Sequence, residues 1–169
     1  MKTMRYILPI LLALSAMTLN AQEQNNSVIS IKAQATVVDK SQIELVTIKN
    51  IDIDESAAVN GIIYVSPKYD SKAAVMMVKG KSNAKIRVKF PPVVEIMNTT
   101  GSGRLLLHYE IYGYPGDNQS ASQPIDAVEN TLQMSSDRKY FFWIGGRIDI
   151  NQASPGSYDG EFTIQIEYI

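Results

Sequence analysis

The 169-residue chain contains no cysteine, one histidine and one tryptophan. Without cysteine there are no disulfide staples, no thiolate catalysis and no thiolate metal site. A single histidine, His108, leaves a Ser-His-Asp triad or a histidine-rich metal centre without support. Neither sign of charge dominates: 16 Lys and Arg stand against 17 Asp and Glu, for a net charge of −1. That balance provides no bulk attraction to nucleic acid or to an anionic membrane. Helical periodicity is lacking beyond residue 21, apart from a short turn expected around 127–132.

Long apolar runs are also missing, with one exception. Lys2 and Arg5 precede the apolar run YILPILLALSAM over 6–17, and Thr18-Leu19-Asn20-Ala21 leads into Gln22. A positive start, an apolar centre and a small residue before the cut are the layout of a secretory signal peptide. The run falls short of the roughly 20 apolar residues of a spanning helix, and Pro9 interrupts it. Residues 1–21 are therefore expected to be a cleaved signal peptide. Residues 22–169 are expected to be a single domain, exported to the periplasm, the cell surface or the exterior. With no cysteine beside the cut, no lipid anchor is expected there, and no later segment is long and apolar enough for a transmembrane span.

Two-residue alternation fills the rest of the chain. Tyr158, Phe162, Ile164, Ile166 and Tyr168 share one face, while Asp159, Glu161, Thr163, Gln165 and Glu167 share the other. The same reading puts Ile86, Val88 and Phe90 inside, with Pro91-Pro92 ending that strand because proline has no N–H for the ladder. Leu105, Leu107, Tyr109 and Ile111 form a third buried row, opposite Leu106, His108, Glu110 and Tyr112. Ile29, Ile31, Ala33, Ala35 and Val37 form a fourth. Weaker strands are expected over 44–49, 61–65, 73–78 and 140–144. Turn-rich segments lie between them, the longest over 113–124. Many short strands divided by such turns predict an all-β chain, a single immunoglobulin-like antiparallel β-sandwich.

Few residues suggest chemistry. His108 alternates outward beside Glu110 and reads as a surface histidine. Asp52, Asp54 and Glu55 are acidic neighbours, but the glycine-containing calcium loop is absent, so a solvated loop is expected. Lys79, Lys81, Lys85, Arg87 and Lys89 form a basic stretch without aromatics on its own face. A solvated strand paired with Asp159, Glu161 and Glu167 is expected there, not a nucleic-acid surface. Tyr140, Phe141, Phe142 and Trp143 read as core, with a sugar platform as the alternative. Asn25, Asn98 and Asn118 match the glycosylation pattern and are expected to mark polar loops. No catalytic, cofactor-binding or metal residue is assigned, and no enzyme is expected, because no nucleophile, base and orienter can be named together.

The segment IGGRIDINQASPGSYDGEFTIQIEY over 144–168 has a glycine, an alternating strand, a Pro-Gly turn, Tyr-x-Gly and a closing strand that ends in Tyr. It resembles the closing signature of the bacterial secreted family called domain of unknown function 4402. Ala33-Gln34-Ala35-Thr36-Val37-Val38, followed by Ile43-Glu44-Leu45, is similar to that family's opening. Ile51-Asp52-Ile53-Asp54 departs from it, where the family usually has Phe-Gly. The resemblance implies an immunoglobulin-like sandwich at the cell envelope and implies no activity.

The functional expectation is a non-catalytic envelope or adhesion module that contacts a protein through edge strands or the 113–124 loop. Two alternatives remain. One is a fimbrial subunit that donates Ile29 to Val37. The other is a carbohydrate-binding module using Trp143 and the Tyr112 to Tyr114 region on a surface glycan. The exported protein is expected to begin at Gln22 by intact mass, and its melting temperature to be unmoved by a thiol reductant; retention of residues 1–21 would count against the signal peptide.

Overall fold

A computed structural model describes residues 28–37, 43–54, 57–128 and 130–169, with the side chains of 32–37 and of Asp54 outside the description. The expected signal peptide, Glu55, Asn25 and part of the predicted 127–132 turn lie wholly or partly outside these residues. Twelve strands are described, and no α-helix. They are β1 (Val28–Val37), β2 (Glu44–Lys49), β3 (Ile51–Asp54), β4 (Ile62–Val65), β5 (Ala74–Lys79), β6 (Lys85–Lys89), β7 (Val93–Asn98), β8 (Arg104–Tyr114), β9 (Gln123–Pro124), β10 (Leu132–Gln133), β11 (Lys139–Asp149) and β12 (Tyr158–Tyr168). The all-β sandwich expected from alternation is the fold observed.

One layer runs β3-β1-β12-β6-β10, and the other runs β7-β8-β11-β5-β2, with β4 also on β11 and β9 on β8. The layers meet where β7 pairs with both β12 and β8. That crossing involves Met97 and Asn98, whereas Pro91 and Pro92 stand at the other end of β7, between β6 and β7. Their missing N–H groups end the ladder of β6 on β12, and the chain resumes as β7 against β8. Every described pairing is antiparallel except one: β1 lies parallel to β12, from Ile29 opposite Tyr158 to Val37 opposite Ile166. Strands so far apart in sequence are free to run the same way, because no tight turn joins them.

Alternation produces the core as read. Ile86 and Val88 of β6, Ile111 of β8, and Phe162, Ile164 and Ile166 of β12 are almost wholly buried. Between the layers, Tyr109 stacks on Phe90 with ring centroids 5.7 Å apart and tilts against Phe162 at 5.3 Å. Each fully buried side chain of this size contributes about 1.5–3 kcal/mol, which is how a domain without disulfides is held.

Three expectations change. Among the described residues of 127–132, none is helical. Asn130 there uses its side-chain amide as a substitute strand, accepting from Val88 N at 2.8 Å and donating to Val88 O at 2.6 Å, and β10 follows. The third buried row does not stop before Gly113. β8 continues to Tyr114, and Gly113 faces inward where a Cβ would strike Ile125 and Tyr140. The weak strand over 140–144 is a long one, Lys139–Asp149.

Burial raises the hydroxyl pKa of Tyr140 to about 12, and that of Tyr109 is raised as well. Tyr109 Oη is buried and has no hydrogen-bond partner among the described residues. A hydroxyl that ionises less readily when folded stabilises the protein below the ordinary tyrosine value of 10.0, and that stability is lost as pH rises through the folded value. The melting temperature is therefore expected to fall between pH 10 and pH 12, and Tyr140→Phe to flatten the fall. At neutral pH, Tyr109→Phe should raise stability by about 1 kcal/mol in urea melts, since it removes an unsatisfied buried group.

Candidate functional site

From Tyr140 to Ile144 the strand β11 is buried on both faces. Tyr140, Phe142, Ile144 and Ile148 face the core. Phe141 and Trp143 face the other way, yet are only 7% and 3% exposed. Their lateral neighbours are Tyr114 and Met77 for Phe141, and Tyr112 and Val75 for Trp143. Phe141 and Trp143 stack with centroids 6.0 Å apart, a contact worth about 0.5–1.5 kcal/mol beyond its buried area.

The 113–124 loop accounts for this second burial. It leaves β8 on one side of β11, while residues 66–73 join β4 to β5 on the other. Gln119 spans the gap: its Nε2 donates to Pro67 O and to Asp70 O, both at 2.9 Å. Pro67 lies over Gly145, where a Cβ would come within 3.0 Å of its ring. The buried hydroxyl of Ser122 donates to Gln119 O at 2.6 Å and holds the 3-10 turn Gln119–Ala121. The loop is thus tied across the outer face next to Trp143. A sugar platform on Trp143 is not available, and the core reading of this aromatic run is correct.

Beyond Gly145 the same outer face is open. His108 on β8 and Arg147 on β11 are registered neighbours, flanked by Val93 on β7 and Tyr64 on β4. His108 and Arg147 are exposed, as the alternation predicts for His108. Tyr64 Oη donates to Glu110 Oε2 at 3.2 Å, reaching diagonally across β11. Partial burial, and then the negative Glu110, raise the pKa of that hydroxyl. The turn after β11 forms one wall: Asp149 Oδ1 accepts from Asn151 N at 3.0 Å and from Asn151 Nδ2 at 2.9 Å. Beside this row, His108, Glu110, Arg147, Asp149 and Asn151, with Arg104, line a groove of about 830 Å³.

The other candidates resolve singly. Asp52 Oδ1 accepts from Ser30 Oγ at 3.0 Å. Among the described residues no three His, Cys, Asp or Glu side chains come together as a metal cluster. The basic stretch is partly neutralised, by the expected Glu167 and also by Glu44. Glu167 meets Lys89 at 3.0 Å and Arg87 at 3.7 Å, and Glu44 meets Lys79 at 3.2 Å. Lys81 Nζ sits 5.1 Å from the Tyr168 ring centroid. Asn98 stands at the start of an exposed polar bend over 99–102, as expected, but its own side chain is not open to solvent. It is buried, and its Oδ1 accepts from Thr100 N at 2.8 Å. No helix among the described residues is long and apolar enough to cross a membrane. Sequence reasoning misses the Arg147 row, because strand register alone brings Arg147 beside His108.

Gln119→Ala is expected to loosen the cover over β11. Two carbonyls lose their donor, so urea melts should show a loss of about 1–2 kcal/mol, and Trp143 emission should shift to the red.

A search of the curated proteins finds no match to the chain. A family model described as "Domain of unknown function (DUF4402)" matches residues 35–168, which takes in the end of β1 and every strand from β2 to β12. The chain belongs to the DUF4402 family.

Proposed function

We propose that the chain is an exported, non-catalytic interaction module of the cell envelope that engages a protein partner by extending a strand edge. The observation that carries this reading is β2. It is the last strand of its layer, paired with β5 on one side, and no described strand pairs with its other side. A bulge between Thr47 and Lys49 turns Ile48 outward, where it is 53% exposed. An outer strand with apolar side chains is a template for an added strand. The interior supports a non-catalytic role: the buried polar side chains described are Asn98 and Ser122, and both hold turns. The N-terminal sequence supports export.

A second reading has its own observation. With residues 1–21 removed, β1 would begin close to the N-terminus of the chain, and it is held between β12 and β3 by backbone pairing. A subunit that passes β1 to a neighbour would use that arrangement.

A photo-crosslinking residue at Ile48, compared with one at the exposed Val128, tests the first reading in intact source cells. A discrete adduct at position 48 and none at 128 is expected; adducts at 128 alone would overturn it. Native oligomer ladders that resist SDS would favour the second reading, and a monomer by light scattering would remove it.

A further inference from the structure

The groove beyond Gly145 has unequal bonding capacity. Its two acids are already engaged, Glu110 by Tyr64 and Asp149 by Asn151. Arg104 on its rim pairs with Glu95 at 3.3 Å. The side chains of Arg147 and His108 make no hydrogen bond or ion pair with any described residue. The groups with no bond at all are therefore donors: a guanidinium fork with five N–H groups and an imidazole beside it. Tyr64, next in the same row, is 52% exposed.

We propose that this groove binds a glycan bearing a carboxylate, with the carboxylate on Arg147. The planar fork matches a carboxylate through two parallel hydrogen bonds, a geometry that an ammonium cannot reproduce. His108 supplies a further donor to the same group. Tyr64 lies beside the groove and outside its lining, registered with Arg147 and bonded to Glu110, so its exposed ring offers an apolar face where a sugar would leave the groove. The second carboxylate oxygens, Glu110 Oε1 and Asp149 Oδ2, take no bond from Tyr64 or Asn151 and remain to accept from sugar hydroxyls. The volume of about 830 Å³ lies within the range of roughly 300–1,000 Å³ usual for small-molecule sites. The groove is on the face of the β8–β11 layer and not on the β2 edge, so it stands or falls apart from the protein-partner reading.

Heteronuclear NMR titration of the exported, processed protein with tetragalacturonate tests it, with maltotetraose as the neutral control and inorganic phosphate as the competitor. Saturable binding of tetragalacturonate is expected, with shifts centred on His108 and Arg147 and little response to maltotetraose. Arg147→Gln should weaken binding about tenfold or more, the loss of a charged, paired contact. Arg147→Lys should recover it to a limited extent, and Tyr64→Ala should weaken it several-fold, all with melting temperatures near that of the parent. The proposal is overturned if tetragalacturonate does not saturate at millimolar concentration, if Arg147→Gln binds as the parent does, or if maltotetraose binds equally well. Displacement by phosphate at equal concentration would also overturn it, by making the site one for phosphate.

Discussion

Burial of β11 on both faces is the constraint on which the molecule depends. Inside, Phe142 and Ile144 join the two layers. Outside, Phe141 and Trp143 need a cover, and the 113–124 loop, anchored by Gln119, lies across that face. An outer aromatic pair left in water would forgo several kcal/mol and would expose an apolar patch of the kind that promotes association. Where the aromatic run ends at Gly145, the cover ends too. The open groove with His108 and Arg147 is therefore a by-product of how far along β11 the large side chains extend.

The same strand shows what a sequence can disclose and what it withholds. β6, β8 and β12 have one wet face each, so their alternation is plain, and their buried rows emerge almost residue for residue. β11 has no wet face over Tyr140 to Ile144, so it lacks alternation and reads as a short apolar patch. Its second half follows two glycines, which ordinarily signal a turn. β7 is hidden from a sequence reading, because Pro91-Pro92 reads as a stop, whereas here the prolines transfer the chain from one layer to the other.

The candidate site is only half legible in the sequence. The outward direction of His108 follows from local alternation, and so does its solvent exposure. Its partnership with Arg147 depends on the pairing of β8 with β11, and that with Tyr64 on the pairing of β11 with β4. Register between strands far apart in sequence is a tertiary fact, set by the packing of whole layers. The ion pairs follow the same rule. Of the three acids expected to face the basic stretch, Glu167 meets Arg87 and Lys89, because it is registered opposite Arg87.

The parallel run of β1 along β12 has a mechanical meaning. Because the two strands point the same way, Val28 and Tyr168 lie toward opposite ends of the pair. Tension applied at those two points slides one strand lengthwise against the other and strains their whole ladder of backbone bonds at once. In a hairpin pulled at its open end, by contrast, the bonds break in succession. A pull between Val28 and Tyr168 therefore meets the β1–β12 ladder in shear.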